Sequence, residues 1–500
     1  MKSTRKNPYL HDPDGQRLPI KLDKTTNGEY LPVELPEQVI WSQQTAQKWA
    51  GENAKRCGLG RRDFLVSLSG AATCLLAMNR ANAAAGQTGG AFALPQDAAL
   101  DNELATSVLG KKEFIFDIQT HHFNPVDSWT EATPWSEAIR ETAESTGCNI
   151  LPDHEFGHLS CTDARAFVRE IFLDSDTDAG VLTFVPTSES AMPLSHEQAN
   201  ATQQIVNALP GGQRLLLHGR VIPNLPGDLE RMDELQEKWD IAAWKTYTQY
   251  GTDHNSGWWL NDDGAGRAFL EKVRASGVKT ISCHKGLPLP FPLMGESNLE
   301  YRFCPDVGPA AAEYPDINFI IFHSGYDPTL KEGPFVPGVR HSGSDSLVQT
   351  VLDAGLGQGS NVYAELGSTW WEVMKRPDEA AHLLGKLLKY LGEDNVLWGT
   401  DCLFYGSPQD QIQAFRTFQI SEEFQERFGY PAITDEMRAK IFGLSSARIY
   451  GIEPITKKQS LAADAVGRAK AEYVQSPDPT FRTYGPRTRR EFFALARSGH

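Results

Sequence analysis

Five hundred residues with 40% hydrophobic, 10% aromatic and 22% charged side chains have the balance of an ordinary globular chain, and exclude a wholly disordered or membrane-embedded one. The formal net charge of −16 and a pI near 5.3 repel nucleic acid and anionic membranes at long range, so a small-molecule substrate is the expected partner and nucleic acid is not.

Residues 1–60 are polar, proline-containing and weakly periodic, the pattern of a disordered leader. Gly60-Arg61-Arg62-Asp63-Phe64-Leu65 then opens a short apolar run to Met78, followed by the small-residue cluster Ala81 to Ala85. Charged region, apolar region and small-residue site occur in signal-peptide order. The segment 61–85 resembles a twin-arginine export signal, which implies the export machinery as a partner, a periplasmic or exported location, and translocation of an already folded protein. The run is too short and too rich in Ser, Gly and Ala for a stable membrane anchor. Residues 86–112, rich in Gly, Ala and Gln at the start, read as a linker into the folded domain.

From residue 113 onward, β-rich apolar runs alternate with helical patterning. The runs are Phe114 to His121, Gly180 to Pro186, Arg214 to Ile222, Asp240 to Tyr247, Val278 to His284, Ile317 to His323, Asn361 to Leu366 and Val396 to Asp401. Predicted helices lie at Ser195 to Leu209, Leu225 to Lys238, Gly264 to Ser276, Ser346 to Ala354 and Asp378 to Leu391. Eight such units over 113–452 predict an α/β fold, a (β/α)₈ TIM barrel. The long first connection, through Trp129, His154 and His158, is expected to hold two helices covering the mouth. Thr434 to Gly451 reads as a terminal helix. The polar extension 453–500, amphipathic near Arg490 to Ala496, folds over the barrel or mediates assembly, which leaves a homo-oligomer open. Seven cysteines, at 57, 74, 148, 161, 283, 304 and 402, show no C-x-x-C pair, so mostly free thiols are expected.

Chemistry concentrates where the runs end: Asp117-Ile-Gln119-Thr-His121-His122, Trp244-Lys245, Cys283-His284-Lys285-Gly286, His323-Ser324-Gly325 and Gly399-Thr400-Asp401. Barrel active sites assemble at this C-terminal face. By strand alternation Gln119 and His121 share one face, and His122 packs behind. Three imidazoles and a carboxylate suit zinc, with manganese or iron as further candidates.

These motifs, D-x-Q-x-H, H-K-G, H-S-G and G-T-D in order over residues 113–452, resemble the amidohydrolase superfamily, in the branch of small metal-dependent hydrolases and decarboxylases. Ile441 to Tyr450 is similar to that branch's closing helix. The resemblance implies His121, His284, His323 and Asp401 as metal ligands, with Asp401 also the catalytic base. Gln119 stands where the family carries the first histidine of an H-x-H pair, and an amide oxygen is a neutral, weaker ligand. Lys245 stands where some members carry a carbamylated lysine bridging two ions; the plainer reading is a rim salt bridge. Both remain further candidates for the metal.

His218, Arg220, Lys285, Glu365 and Trp258 are weaker substrate-binding candidates. For the basic residues the alternative is solvated charge, for Glu365 a supporting or paired carboxylate, and for Trp258, with Trp259, Trp370 and Trp371, ordinary packing under loops. Cys283 and Cys402 are expected to point away from the ligands. The implied activity is metal-dependent hydrolysis of a small ester, lactone or amide. Decarboxylation of an aromatic or unsaturated acid is the first alternative, and a degenerate ligand-binding protein, suggested by Gln119, the second.

Overall fold

The computed structural model describes residues 9–110, 112–124, 160–187, 192–208, 213–251, 256–288, 296–339 and 342–497. Eight parallel strands in chain order form its centre: β2 (Phe116–Thr120), β3 (Ala179–Leu182), β4 (Leu215–Arg220), β5 (Ile241–Tyr247), β6 (Thr280–His284), β7 (Asn318–Phe322), β8 (Val362–Glu365) and β9 (Val396–Leu397). The ring closes where β2 meets the chain after β9: Ile118 N donates to Trp398 O at 3.2 Å, Asp401 N to Gln119 O at 2.9 Å and His121 N to Cys402 O at 2.6 Å. Each strand lies within its expected run except β3, which begins one residue earlier, at Ala179. Helices His196–Val206, Asp228–Lys238, Ala265–Ser276, Ser344–Asp353 and Pro377–Tyr390 lie where helical patterning placed them. Ser195 caps the first in a reciprocal box with Gln198, satisfying N–H groups that the helix end leaves without partners. The connection through Trp129, His154 and His158 lies outside the described residues.

The barrel interior is filled near its base by Phe116, Ile118, Val181, Ile320, Phe322 and Leu397, with Ala447 and Tyr450 of the closing segment packed beneath. Thr434 caps that segment, which runs as helix, π-turn and helix from Asp435 to Ile449.

The expectations of a disordered leader and an unstructured linker are corrected. Residues 9–110 are ordered against the barrel: α1 (Glu37–Arg56), α2 (Arg61–Val66), α3 (Leu68–Ala84), β1 (Gly90–Phe92) and α4 (Asn102–Leu109). The leader looked aperiodic because the buried stripe of α1 is Val39, Ser42, Ala46, Ala50, Asn53 and Ala54, correctly spaced for a helix but almost devoid of large apolar side chains. Small residues in α3 permit close packing: a Cβ on Gly70 would lie 2.5 Å from Phe64 O and 2.8 Å from Leu65 Cα. The run read as a signal's apolar region is thus part of the core, with Leu75 and Cys74 fully buried.

Arg61 donates to Gly15 O at 2.8 Å and Gln47 O at 3.0 Å. Arg62 lies between the Tyr9 and Phe481 rings, 3.7 Å from Asp12 and 3.4 Å from Asp478. The arginine pair therefore clasps both ends of the chain. The linker is also structured, since β1 pairs antiparallel with β10 (Phe418–Ile420).

The C-terminal extension folds back. Arg214 binds Asp464 at 3.0 Å, Tyr484 N donates to Phe404 O at 2.7 Å and Thr26 N to Pro486 O at 2.9 Å. Arg489–Arg497 is helical. Among the described residues Cys57, Cys74, Cys283, Cys304 and Cys402 are free thiols and Cys161 is disulfide-bonded, in keeping with mostly free thiols. Among the described residues no helix is long and apolar enough to cross a membrane.

Leu75→Ala tests whether α3 belongs to the barrel's folding unit. Truncating this fully buried side chain should destabilise the chain by about 2–5 kcal/mol in denaturant unfolding followed by tryptophan fluorescence; an unchanged midpoint would mean that the segment is only appended.

Candidate metal centre

The strand ends converge on one buried cluster at the C-terminal mouth. His284 closes β6, while His323, Asp401 and His121 follow β7, β9 and β2; all are at most 4% exposed. His323, Ser324, Ser368 and Asp401 have φ of 64°, 54°, 56° and 60°. This left-handed backbone costs a non-glycine residue about 1–3 kcal/mol, and such outliers collect at functional sites. The strain is held in place: Glu365 accepts from His323 N at 3.0 Å, Ser324 Oγ donates to Glu365 O at 2.7 Å, and Thr369 Oγ1 donates to His323 O at 2.9 Å.

A re-phasing of β2 brings His121 to the axis. Phe116 and Ile118 are interior residues, and strict alternation would turn Thr120 inward and His121 outward. The pairing with β3 shifts register between Asp117 and Thr120. Thr120 Oγ1 donates to Val181 O at 2.7 Å, leaving Gln119 and His121 to face the mouth. Beside His121 is a pocket of about 10 Å³, lined in part by Thr183, Phe184 and Met192, on the scale of a single water.

Backbone carbonyls set the two histidines. His284 Nε2 donates to Leu287 O at 2.9 Å and His323 Nδ1 to Gly367 O at 2.7 Å. A carbonyl only accepts, so the opposite nitrogens, His284 Nδ1 and His323 Nε2, present lone pairs. Both are buried without a hydrogen-bond partner. Burial, above all, pushes the His323 imidazole down to about 4. It holds His284 well below the ordinary range, helped by His323 and Lys245. Both rings are therefore neutral near pH 7, the form that binds metals.

Glu29, from the N-terminal segment, meets both lone pairs. Its carboxylate oxygens lie 3.5 Å from His284 Nδ1 and 3.5 Å from His323 Nε2. With both imidazoles neutral, these contacts are not ion pairs. Ligand atoms of Glu29, His284 and His323 all lie within 4.8 Å of one another. Burial and then Asp401 push Glu29 up to about 8, against Lys245 and the Asn27 hydrogen bond.

Asn27 joins the two carboxylates, its Nδ2 donating to Glu29 Oε2 at 2.5 Å and Asp401 Oδ2 at 2.6 Å. His121 Nε2 donates to Asp401 Oδ1 at 3.0 Å, and Ser368 Oγ to Asp401 Oδ2 at 2.5 Å. Burial works to raise the Asp401 carboxyl, but the hydrogen bond and charge of His121, with His323 and Ser368, hold it well below the carboxylate range.

The four expected ligands thus reach one mouth as two adjacent pairs, His284 with His323 and His121 with Asp401, linked through Asn27 and Glu29. The third member of the tight cluster is Glu29, in a segment expected to be disordered. Its only local signal was the turn-forming Asn27-Gly28. Two inward lone pairs beside a carboxylate, with each ring fixed through its other nitrogen, fit a divalent cation.

The remaining candidates divide. Gln119 Oε1 is buried without a partner, facing Gly367. Lys245 Nζ is likewise without a hydrogen-bond partner, 3.8 Å above the Phe322 ring and 4.3 Å from that of Tyr247. Burial lowers Lys245 to about 8, opposed by Glu29 and other acidic groups. Glu365 braces His323 from behind. His218 lies between Thr183 Oγ1 at 2.9 Å and Tyr450 OH at 3.0 Å.

Others are held by partners of their own. Arg220 pairs with Asp228 at 3.1 Å, and Lys285 with Asp306 at 2.8 Å. Trp258 Nε1 donates to Tyr247 O at 3.2 Å, with its ring edge-on to Phe269. Trp370 Nε1 donates to Gln411 O and Trp371 Nε1 to Thr25 O, at 3.0 and 2.9 Å, while Trp259 packs on Tyr301. His122 packs on Phe167 behind the strand, as its parity implied. Cys283 and Cys402 lie in the outer core.

An amidohydrolase family model matches residues 245–452, a stretch that takes in Lys245, His284, His323 and Asp401 and leaves out Gln119 and His121. No curated protein matches the chain. Similar solved structures include an uncharacterized TIM-barrel protein from Bordetella bronchiseptica, at 12% identity and a TM-score of 0.41, covering 69% of this chain and 100% of that one. A uronate isomerase from Bacillus halodurans has 12% identity and a TM-score of 0.39, with 70% and 96% covered. 5-Carboxyvanillate decarboxylase from Sphingomonas paucimobilis has 13% identity and a TM-score of 0.37, with 68% and 99% covered.

The bracing of His323 is testable at Gly399, where a Cβ would lie 1.7 Å from Glu365 Oε1. Gly399→Ala should displace Glu365 and destabilise the chain by about 1–3 kcal/mol. Gly333→Ala, with nothing within 4 Å, should leave denaturant stability unchanged; equal effects of the two substitutions would contradict the packing described.

Proposed function

We propose that this chain is a metal-dependent hydrolase of the amidohydrolase kind, acting on a small ester, lactone or amide. The observation that carries the reading is the pair of neutral histidines, His284 and His323, each fixed by a backbone carbonyl and aiming an unpartnered nitrogen into a buried mouth beside Asp401 and His121. A divalent cation held by these residues, zinc first and manganese or iron next on donor type, would polarise a substrate carbonyl and make water acidic enough to attack near neutral pH.

The chain's own groups supply the rest. Asp401 stays ionised and is oriented by Ser368 and His121, so it takes the proton of the attacking water. His121, whose Nε2 donates to Asp401 Oδ1 at 3.0 Å, keeps that carboxylate aimed while it does so. Lys245, buried and without a hydrogen-bond partner, offers its ammonium to an anionic group of the substrate or, as the neutral amine, can form a carbamate. Segment 18–30 closes the mouth against bulk water, with Ile20 and Tyr30 at most 1% exposed.

A second reading, as a carboxy-lyase, draws on the same lysine, whose unpaired charge would hold a substrate carboxylate.

Metal-loaded full-length chain should hydrolyse members of a panel of esters, lactones and amides. Asp401→Asn should lower turnover about 10²–10⁴-fold while circular dichroism remains that of the parent. Carbon dioxide released from an aromatic or unsaturated acid, with no hydrolysed product from the panel, would replace hydrolase by carboxy-lyase.

A further inference from the structure

We infer that Glu29 is itself a metal ligand, so the centre is completed by the segment that precedes the barrel. The inference rests on the reading of the mouth as a divalent-cation site and extends it to a residue outside the barrel motifs. The carboxylate is equidistant from two imidazole nitrogens, 3.5 Å from each, and those nitrogens are fully buried with no hydrogen-bond partner. Two imidazole lone pairs and a carboxyl group thus converge with no hydrogen bond between ring and carboxyl, and a cation at their common focus turns all three contacts attractive.

The delivery of Glu29 is built rather than incidental. Gly28, at φ 86°, turns the chain back through a left-handed conformation that favours glycine. Asn27 Oδ1 accepts from Glu29 N at 3.0 Å and stiffens the turn. On the N-terminal side, Lys21 binds Asp410 at 2.9 Å, and the Asp23 and Thr25 carbonyls accept from Lys375 Nζ and Trp371 Nε1, each at 2.9 Å. On the other side, Tyr30 OH donates to Glu372 at 2.9 Å. The C-terminal extension covers the turn so closely that a Cβ on Gly485 would lie 1.8 Å from Thr26 O. These contacts allow Glu29 little freedom to withdraw.

The substitution at Gln119 then has a counterpart. An amide oxygen is a weaker donor than an imidazole, and Glu29 supplies the further ligand; its charge and that of Asp401 together balance a divalent cation. It also follows that residues before 86 cannot be lost without loss of a ligand, so the arginine-pair segment remains in the working enzyme.

The test uses full-length chain loaded with Co²⁺ or Zn²⁺. Metal per chain is measured by plasma mass spectrometry, affinity by chelator competition, and ligand geometry by the Co²⁺ visible spectrum. Glu29→Gln should weaken affinity at least about tenfold and alter the Co²⁺ spectrum, and His323→Ala should bind less tightly than the parent. Glu29→Gln with parental affinity and spectrum, beside a His323→Ala variant that loses metal, overturns the inference and leaves the metal centre standing. Failure of the parent to bind either ion overturns both. Should Glu29→Gln not fold, Glu29→Asp keeps the charge but retracts it by one methylene; parental affinity and spectrum there would overturn the inference, and weakened affinity with a changed spectrum would support it.

Discussion

Two backbone carbonyls, those of Leu287 and Gly367, decide what the barrel mouth can do. By accepting from His284 Nε2 and His323 Nδ1, they leave the other nitrogen of each ring as a lone pair directed at a common point. Without that constraint the same histidines would be free to rotate, change tautomer or pair with Glu29 as donors. The carbonyls lie in the turns after β6 and β8, which are held by Gly286 N donating to Arg302 O at 2.7 Å and Gly367 N to Glu365 Oε1 at 2.6 Å.

The surroundings raise what is at stake in this arrangement. Glu29, Asp401, Glu365 and Lys245 are all buried, and in low dielectric an unbalanced charge is expensive. Asp401 is kept ionised by His121 and Ser368, whereas Glu29 is pushed toward its protonated form by burial and by Asp401 itself. Left-handed backbone at His323, Ser368 and Asp401 adds strain at the same place. A site that concentrates opposed lone pairs, like charges and strained backbone is organised for a positive partner, at some expense to the empty protein.

The two chain ends act as one support. The 9–30 and 478–487 segments bind each other and the mouth, through Thr25 with Thr483 at 2.7 Å and Arg62 with Asp12 and Asp478. Small residues make this possible: Gly70 lets α2 and α3 touch, and Gly485 lets the extension lie against Thr26. The buried stripe of α1, Val39, Ser42, Ala46, Ala50, Asn53 and Ala54, likewise buries little apolar area per residue, so that helix lacks the large hydrophobic residues that advertise a core.

The barrel, its eight strands in order, and the strand-end positions of His121, His284, His323 and Asp401 can be read from the residues alone, because alternating apolar runs and helical spacing are local patterns. It was legible, too, that His122 packs behind its strand. The folding of residues 9–110 against the barrel, the bond of His121 to Asp401 and the place of Glu29 in the tight cluster with His284 and His323 emerge in three dimensions alone. The physical reason is range. A stripe of Ala, Ser and Asn along α1 carries almost no hydrophobic signal, and a register shift in β2 re-phases Gln119 and His121 without any change in residue type. The meeting of Asn27 with Asp401, 374 residues apart, depends on the closed sheet and the folded chain ends together, not on either stretch alone.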